Sequence, residues 1–385
     1  MKYLIVLAAV LATVLFSCHD PHPTLHMPGT ANAHHYTWIN SWPGSLEHLG
    51  DPSGIAVDTA GNIVVFHRGT KKWPLLLPFS KAIIPENTIL VLDRNTGQIK
   101  NSWGGNIFIM PHSLTTDREN NIWVTDVGLH QVLKFTPEGR LLLRVGEAGI
   151  PGNDSAHFAR PTDIAVSPDG SFYVADGYIN SRIVKFSATG QFQFAWGRKG
   201  HKPGQFNLPH GITLDERGNV YVADRENSRI QVFDPNGKFK REWKDRSFGK
   251  MYAIRYDQQR KEFVAADYIT NYITPKGSDC IIFDQDGNIK TRFGRSGNYD
   301  GPVCRYHDLA IDKDGNLYVG DILQDRIQKF ERAPKATPRL VTRPSNTIVY
   351  LPSLATTQKA PQLLPPADAQ TGFYGPHPPT RSPGR

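Results

Sequence analysis

The stretch Pro209-His210-Gly211-Ile212-Thr213-Leu214-Asp215-Glu216-Arg217-Gly218-Asn219-Val220-Tyr221-Val222-Ala223-Asp224 decides how the whole chain is read. A short apolar run leads into an acidic turn, where Gly218-Asn219 supplies the positive backbone angles of a tight hairpin. A second alternating run then ends on an acid. Arg229-Ile230-Gln231-Val232-Phe233 alternates again as a third strand, and Pro235-Asn236-Gly237 turns the chain toward a fourth. Elsewhere the fourth strand closes on an aromatic and a glycine, as in Phe194-Ala195-Trp196-Gly197. Four short strands of period two make one blade of a β-propeller.

The same unit returns every ~40–50 residues, the signature of a propeller or solenoid. Its copies open on Pro52-Ser53-Gly54-Ile55, Pro111-His112-Ser113-Leu114, Pro161-Thr162-Asp163-Ile164, Met251-Tyr252-Ala253-Ile254 and Tyr306-His307-Asp308-Leu309. With the stretch quoted above, this predicts an all-β, six-bladed β-propeller. The last copy stops near Phe330 after three strands. Tyr36-Thr37-Trp38-Ile39-Asn40-Ser41-Trp42 is expected to complete that blade and lock the ring, hiding its sheet edges. Insertions at about Thr70 to Asn87 in blade 1 and about Tyr268 to Ser278 in blade 5 are expected at a pocket mouth.

The ring takes residues 36–332 of 385. The net charge of +8 is dispersed, with no run of five like charges, so a solvated mixed surface is expected and nucleic acid is not. The ring is expected to be a monomer. Residues 1–18 read as an export signal: Lys2, then an apolar run from Leu4 to Phe16 that is short for a bilayer span. Leu15-Phe16-Ser17-Cys18 resembles the bacterial lipoprotein box, which would make Cys18 an acylation site and residues 19–35 a tether; an ordinary cleaved signal is the alternative. Either way the chain is expected to be exported, as a membrane-anchored lipoprotein or as a secreted protein. Cys280 and Cys304 are the other cysteines, and pairing or two free thiols are both open. From 333 to 385 the hairpin pattern gives way to pieces such as Leu364-Pro365-Pro366, expected as a disordered or loosely packed tail.

In chain order, the residue after each opening reads Ser53, His112, Thr162, His210, Tyr252, His307. A single histidine in a propeller is usually structural. Three on alternate blades would converge on the axis, and three neutral imidazoles with an open fourth position are how a catalytic zinc is held. His48, His67, His130, His157 and His201 fall at other phases and are read as structural or surface residues. A second recurrent position ends the second strand, mostly as Asp126, Asp176, Asp224 and Asp321, and is read as a cap for loop amides. The residues just beyond it break the repeat. Arg68 and Arg225 share one phase and Tyr178 lies one residue further on. A tyrosine beside a metal and two guanidinium groups is expected to have a lowered pKa, suiting a general base; a packed aromatic is the alternative.

The blades resemble NHL repeats, and Val65-Phe66-His67-Arg68-Gly69, Asp176-Gly177-Tyr178-Ile179-Asn180-Ser181-Arg182 and Ala223-Asp224-Arg225-Glu226-Asn227-Ser228-Arg229 look like peptidyl-α-hydroxyglycine α-amidating lyase. The resemblance runs from blade 1 to blade 6. It implies cleavage of the N–C bond of a C-terminal α-hydroxyglycine, giving a peptide amide and glyoxylate. It implies zinc on His112, His210 and His307, Tyr178 as the base, Arg68 to hold its phenolate and bind substrate, and Arg225 to assist. It also implies a structural calcium in the central channel, on the carbonyls of Ile55 and Leu114 and the carboxylate of Asp308, an oxygen set that suits that ion.

The chain departs from the family in places. Arg305-Tyr306 stands where the family has Met-Pro, which puts Arg305 at the substrate. Two disulfides of the animal members are lost pairwise, at Ala159 with Ile179 and at Tyr221 with Val232. The companion copper monooxygenase domain lies outside the resemblance, which leaves the source of a hydroxyglycine open. Two other readings are a non-catalytic NHL propeller that binds peptide or glycan, and a metal-dependent propeller hydrolase such as a lactonase.

Overall fold

The computed structural model describes residues 36–333, apart from 45, 47–48, 75–79, 272–273 and 297–300. The export signal with Cys18, the tether, His48 and the tail from 334 lie outside the described residues.

Six antiparallel sheets follow one another along the chain, each of four strands, with one extra strand in blade 5. Blade 4 is typical: Pro209–Leu214, Val220–Asp224, Arg229–Phe233 and Phe239–Lys244 pair in that order. Blade 6 takes Tyr36–Trp38 as its outer strand, with Tyr36 opposite Arg332 and Trp38 opposite Phe330. The ring is therefore closed by the N-terminal strand, as the sequence predicted. Blade 5's insertion becomes a hairpin arm, in which Thr274–Gly277 pairs with the end of Glu262–Asn271.

The turns form for a local reason. Asp58, Asp117, Asp215 and Asp312 each accept the amide of the asparagine four residues on, at 2.7–2.9 Å. This Asx contact adds to the backbone turn bond, such as Gly218 N to the Asp215 carbonyl (3.0 Å), and fixes the hairpin. Blade 2 lacks the glycine of that turn, and Asn120 takes its left-handed place at φ 64°.

Packing lies between the blades. Ala56, Val64, Phe66 and Ile89 of blade 1 interdigitate with Leu114, Val124, Leu133 and Phe135 of blade 2. Ile164, Phe172, Val174 and Val184 of blade 3 cover Trp123 and Val132 in the same way. The last interface joins Ala310, Tyr318 and Ile327 of blade 6 to Ile55, Ile63 and Val65 of blade 1. Each of these large side chains contributes about 1.5–3 kcal/mol on burial. Cys280 and Cys304, for which a bridge was one expectation, are not bonded to each other and lie buried in the core between blades 5 and 6.

Candidate functional site

A backbone irregularity aims the residues at the axis. The innermost strands pair Pro52 with His67 and then Gly54 with Phe66, so Ser53 is the extra residue of a bulge. The same skip leaves out His112, His210, Tyr252 and His307 in their own blades. A bulge of one residue turns its side chain away from the pleat and kinks the strand. In a ring this points each such side chain inward.

Three imidazoles meet there. Ring centroids of His112, His210 and His307 lie 4.6–4.9 Å apart. Each Nδ1 donates to the carbonyl of the equivalent residue in the next blade: His112 to Thr162 (2.5 Å), His210 to Tyr252 (2.7 Å) and His307 to Ser53 (2.7 Å). Alternate blades thus divide the task, one giving the ring and the next the carbonyl that fixes its tautomer. Burial holds all three histidines well below their usual pKa, so they are neutral and their Nε2 lone pairs face inward. One ligand atom from each lies within 4.8 Å of the others. A common centre is then at most about 2.8 Å from each, within an ångström of the ~2.0–2.1 Å zinc–imidazole bond. This triad could hold a metal ion. A narrow cavity runs from it, lined by the three histidines with Ser53, Asp163, Tyr252 and Asp308 among others.

Tyr178 closes the arrangement. Its hydroxyl lies 3.0 Å from His112 Nε2 and 3.4 Å from His210 Nε2. The loop that carries it is organised by Asp176, which accepts from Ala159 N (2.9 Å), Asn180 Nδ2 (2.7 Å) and Arg182 Nε (2.9 Å). Gly177 has no room for a side chain, because a Cβ there would sit 1.9 Å from the Pro209 carbonyl oxygen. Burial pushes the Tyr178 hydroxyl up, while Arg225, Arg68 and Arg305 pull the other way. From the protein's own groups the direction is therefore upward; the expected lowering was for a tyrosine that also has a metal beside it. The cations were legible in the sequence, whereas the depth of burial was not.

Guanidinium groups surround this hydroxyl. Arg68, 1% exposed, donates to the Pro111 carbonyl (Nε, 2.9 Å) and pairs with Asp51 (3.1 Å), which leaves its Nη2 without a partner. Arg225 lies with its Cζ 4.6 Å from the Tyr252 ring centre and pairs with Glu226 at 3.1 Å. Arg305 donates to the Tyr252 hydroxyl at 2.7 Å, and its Nε is buried without a partner. Buried guanidinium N–H groups with unused donors are what a carboxylate would satisfy in a fork.

The structure brings together His112, His210, His307, Tyr178, Arg68, Arg225 and Arg305, and it adds Trp73. This half-buried indole of the blade 1 insertion lies 5.0 Å from the Tyr178 ring and 6.5 Å from His112, with Arg68 Cζ 5.1 Å from its centre. Two lysines before it anchor the insertion. Lys71 donates to the Ile109 carbonyl (2.7 Å), and Lys72 bridges Asp51 (2.8 Å) and Asp325. No repeat copy shows this residue, so only its place in an insertion near Arg68 hinted at it.

The recurring acids act as read. Asp126 accepts the amides of Ile109, Met110, Gly128 and Leu129 at 2.7–3.0 Å. Blade 1 has His67 there, and its Nδ1 accepts the amides of Gly50 (3.3 Å) and Gly69 (3.1 Å). Burial lowers the His67 pKa to about 4, which keeps it neutral for that role. Deeper in the channel, Asp308 does not stand free. Its carboxylate accepts from Ile55 N, Leu309 N and Arg255 Nη2.

Known proteins agree with this geometry. The NHL repeat model matches residues 158–186 and 206–233, within blades 3 and 4. Peptidyl-glycine α-amidating monooxygenase B of Xenopus laevis is 39% identical over 78% of this chain, which spans only 36% of that longer protein. A gluconolactonase from Xanthomonas campestris superposes with a TM-score of 0.52 over 82% of this chain and 99% of its own, at 13% identity, a likeness of fold alone. Peptidyl-α-hydroxyglycine α-amidating lyase 2 of Drosophila melanogaster is 42% identical over 74% of this chain and 71% of its own length. With its blades, its axial histidines and that relative in agreement, the chain belongs to the peptidyl-α-hydroxyglycine α-amidating lyase family.

Proposed function

We propose that this ring is a zinc-dependent carbon–nitrogen lyase that cleaves peptidyl-α-hydroxyglycine to a peptide amide and glyoxylate. The observation that carries the reading is the Tyr178 hydroxyl set against two neutral Nε2 atoms of a three-histidine triangle and ringed by Arg68, Arg225 and Arg305. His112, His210 and His307 would hold the zinc, which when bound would act as a Lewis acid on the substrate hydroxyl and favour a tyrosinate nearby.

The reaction needs one net proton movement, from the carbinol oxygen to the departing amide nitrogen. Tyr178 is placed for both halves. As phenolate it accepts the hydroxyl proton, and the carbinol oxygen's electrons then form the aldehyde as the C–N bond breaks. The same group returns the proton to nitrogen. Arg68 and Arg225 pair with the terminal carboxylate and hold the carbon beside Tyr178, while their charge opposes the burial that keeps the phenol protonated. Trp73 covers the phenol ring and keeps water from it.

The test is glyoxylate release from α-hydroxyhippurate with zinc counted per chain. Release by zinc-loaded protein supports the lyase. A chain with neither zinc nor release is a binding module. We also propose export, with acylation of Cys18, which mass spectrometry of the mature N-terminal peptide would read directly.

A further inference from the structure

Below the histidines, the residue that follows each bulge reads Gly54, Ser113, Asp163, Gly211, Ala253 and Asp308. The two acids belong to blades 3 and 6, which face each other across the ring. They are built alike. Asp163 accepts from Ile164 N (2.9 Å) and from Ile212 N of the next blade (2.9 Å). Asp308 accepts from Leu309 N (2.8 Å) and from Ile55 N of the next blade (3.1 Å). Two residues further along the same strands, the chain reads Ala56, Thr115, Ala165, Thr213, Arg255 and Ala310, so five small side chains and one guanidinium share this repeat position.

That guanidinium joins the acids. Arg255 Nη1 lies 2.8 Å from Asp163 Oδ2, and Nη2 lies 2.6 Å from Asp308 Oδ1. Nη1 also donates to the carbonyl of Ile254 (3.0 Å) and faces that of Ile212 (3.4 Å). An all-oxygen shell of two carboxylates and two carbonyls is the surrounding a hard cation takes. Every carboxylate oxygen of the pair already has an N–H donor. The Ile55 residue that the family resemblance assigns to calcium presents its N–H to Asp308. A dication here would have to displace a buried guanidinium from both partners and then bear its repulsion.

We infer that Arg255 is the resident cation of the central channel, filling the place the resemblance gives to calcium, so that the ring needs no calcium for its stability. The inference is independent of the chemistry at the histidines. It assigns Arg255 a positioning role, because its two carboxylates adjoin Thr162, which orients His112, and His307 itself.

The test uses the full purified chain, dialysed against a calcium-selective chelator, with calcium and zinc both counted. The native protein should retain no calcium, and millimolar calcium should move its thermal midpoint by less than about 1 °C. Arg255→Ser leaves two buried acids uncompensated, and its midpoint should fall on the order of 5–10 °C and partly recover in millimolar calcium. One calcium retained per native chain, or a native midpoint raised by about 5 °C in calcium, overturns the inference, as does a serine variant as stable as the native protein. If Arg255→Ser does not fold, the native measurements decide alone. The zinc count in the same samples keeps failure here distinct from failure of the histidine site.

Discussion

Two levels of one axis handle positive charge in opposite ways. At the mouth, three neutral imidazoles turn their acceptors toward one another. A turn deeper, Asp163 and Asp308 hold the guanidinium of Arg255, and all their oxygens are engaged. Innermost strands build both levels: the histidines sit at bulges in blades 2, 4 and 6, whereas Asp163, Arg255 and Asp308 of blades 3, 5 and 6 lie in regular pairing beyond that position. A set of acceptors left facing a common centre could hold an ion. A set already satisfied is a structural strap.

The contrast can be broken from either side. Tyr178→Phe should lower glyoxylate release by on the order of 10³-fold while zinc stays bound, since it removes the proton carrier and no ligand. Loss of zinc with that substitution would move Tyr178 from chemistry to assembly. At the lower level the corresponding change is Arg255→Ser, whose effect should be on the melting midpoint and only secondarily on rate.

Acid sharpens the same comparison. His112, His210 and His307 are held below their ordinary pKa by burial, and burial lowers His67 and His130 to about 4. The unfolded chain therefore binds protons below its histidine pKa of about 6.5 that the folded ring refuses. Stability should be fully present above that pH and fall progressively toward pH 4. A thermal midpoint that rises on acidification from pH 7 to 5 would contradict the neutral assignment. The smallest effect is expected at the cover. Trp73→Ala should raise KM for α-hydroxyhippurate by about 3–10-fold, the loss of roughly one aromatic contact, with the zinc count unchanged.

Much of this was legible before any coordinates. The alternation of His with Ser, Thr and Tyr at one phase required only that the blades close into a ring, and closure by Tyr36–Trp38 followed from a last copy one strand short. The bulges that aim the histidines were not legible, because an extra residue in a strand leaves no mark on period-two patterning over so few positions. Arg255 did leave a mark, a lone cation in a column of small residues, but it fell outside the phases where chemistry was sought. Asp308 entered as a ligand through the resemblance alone; which cation it meets depended on a side chain from another blade. The burial that pushes the Tyr178 hydroxyl up was not legible for a similar reason, since burial is a property of the assembled ring.

The most direct measurement is the zinc content of the native chain beside that of His210→Ala, with glyoxylate release from α-hydroxyhippurate read on both. One zinc per native chain with release, and loss of both in the variant, is the predicted result. Zinc retained at one per chain when His210 is gone, or glyoxylate released by a chain holding no zinc, would contradict a metal centre on the propeller axis.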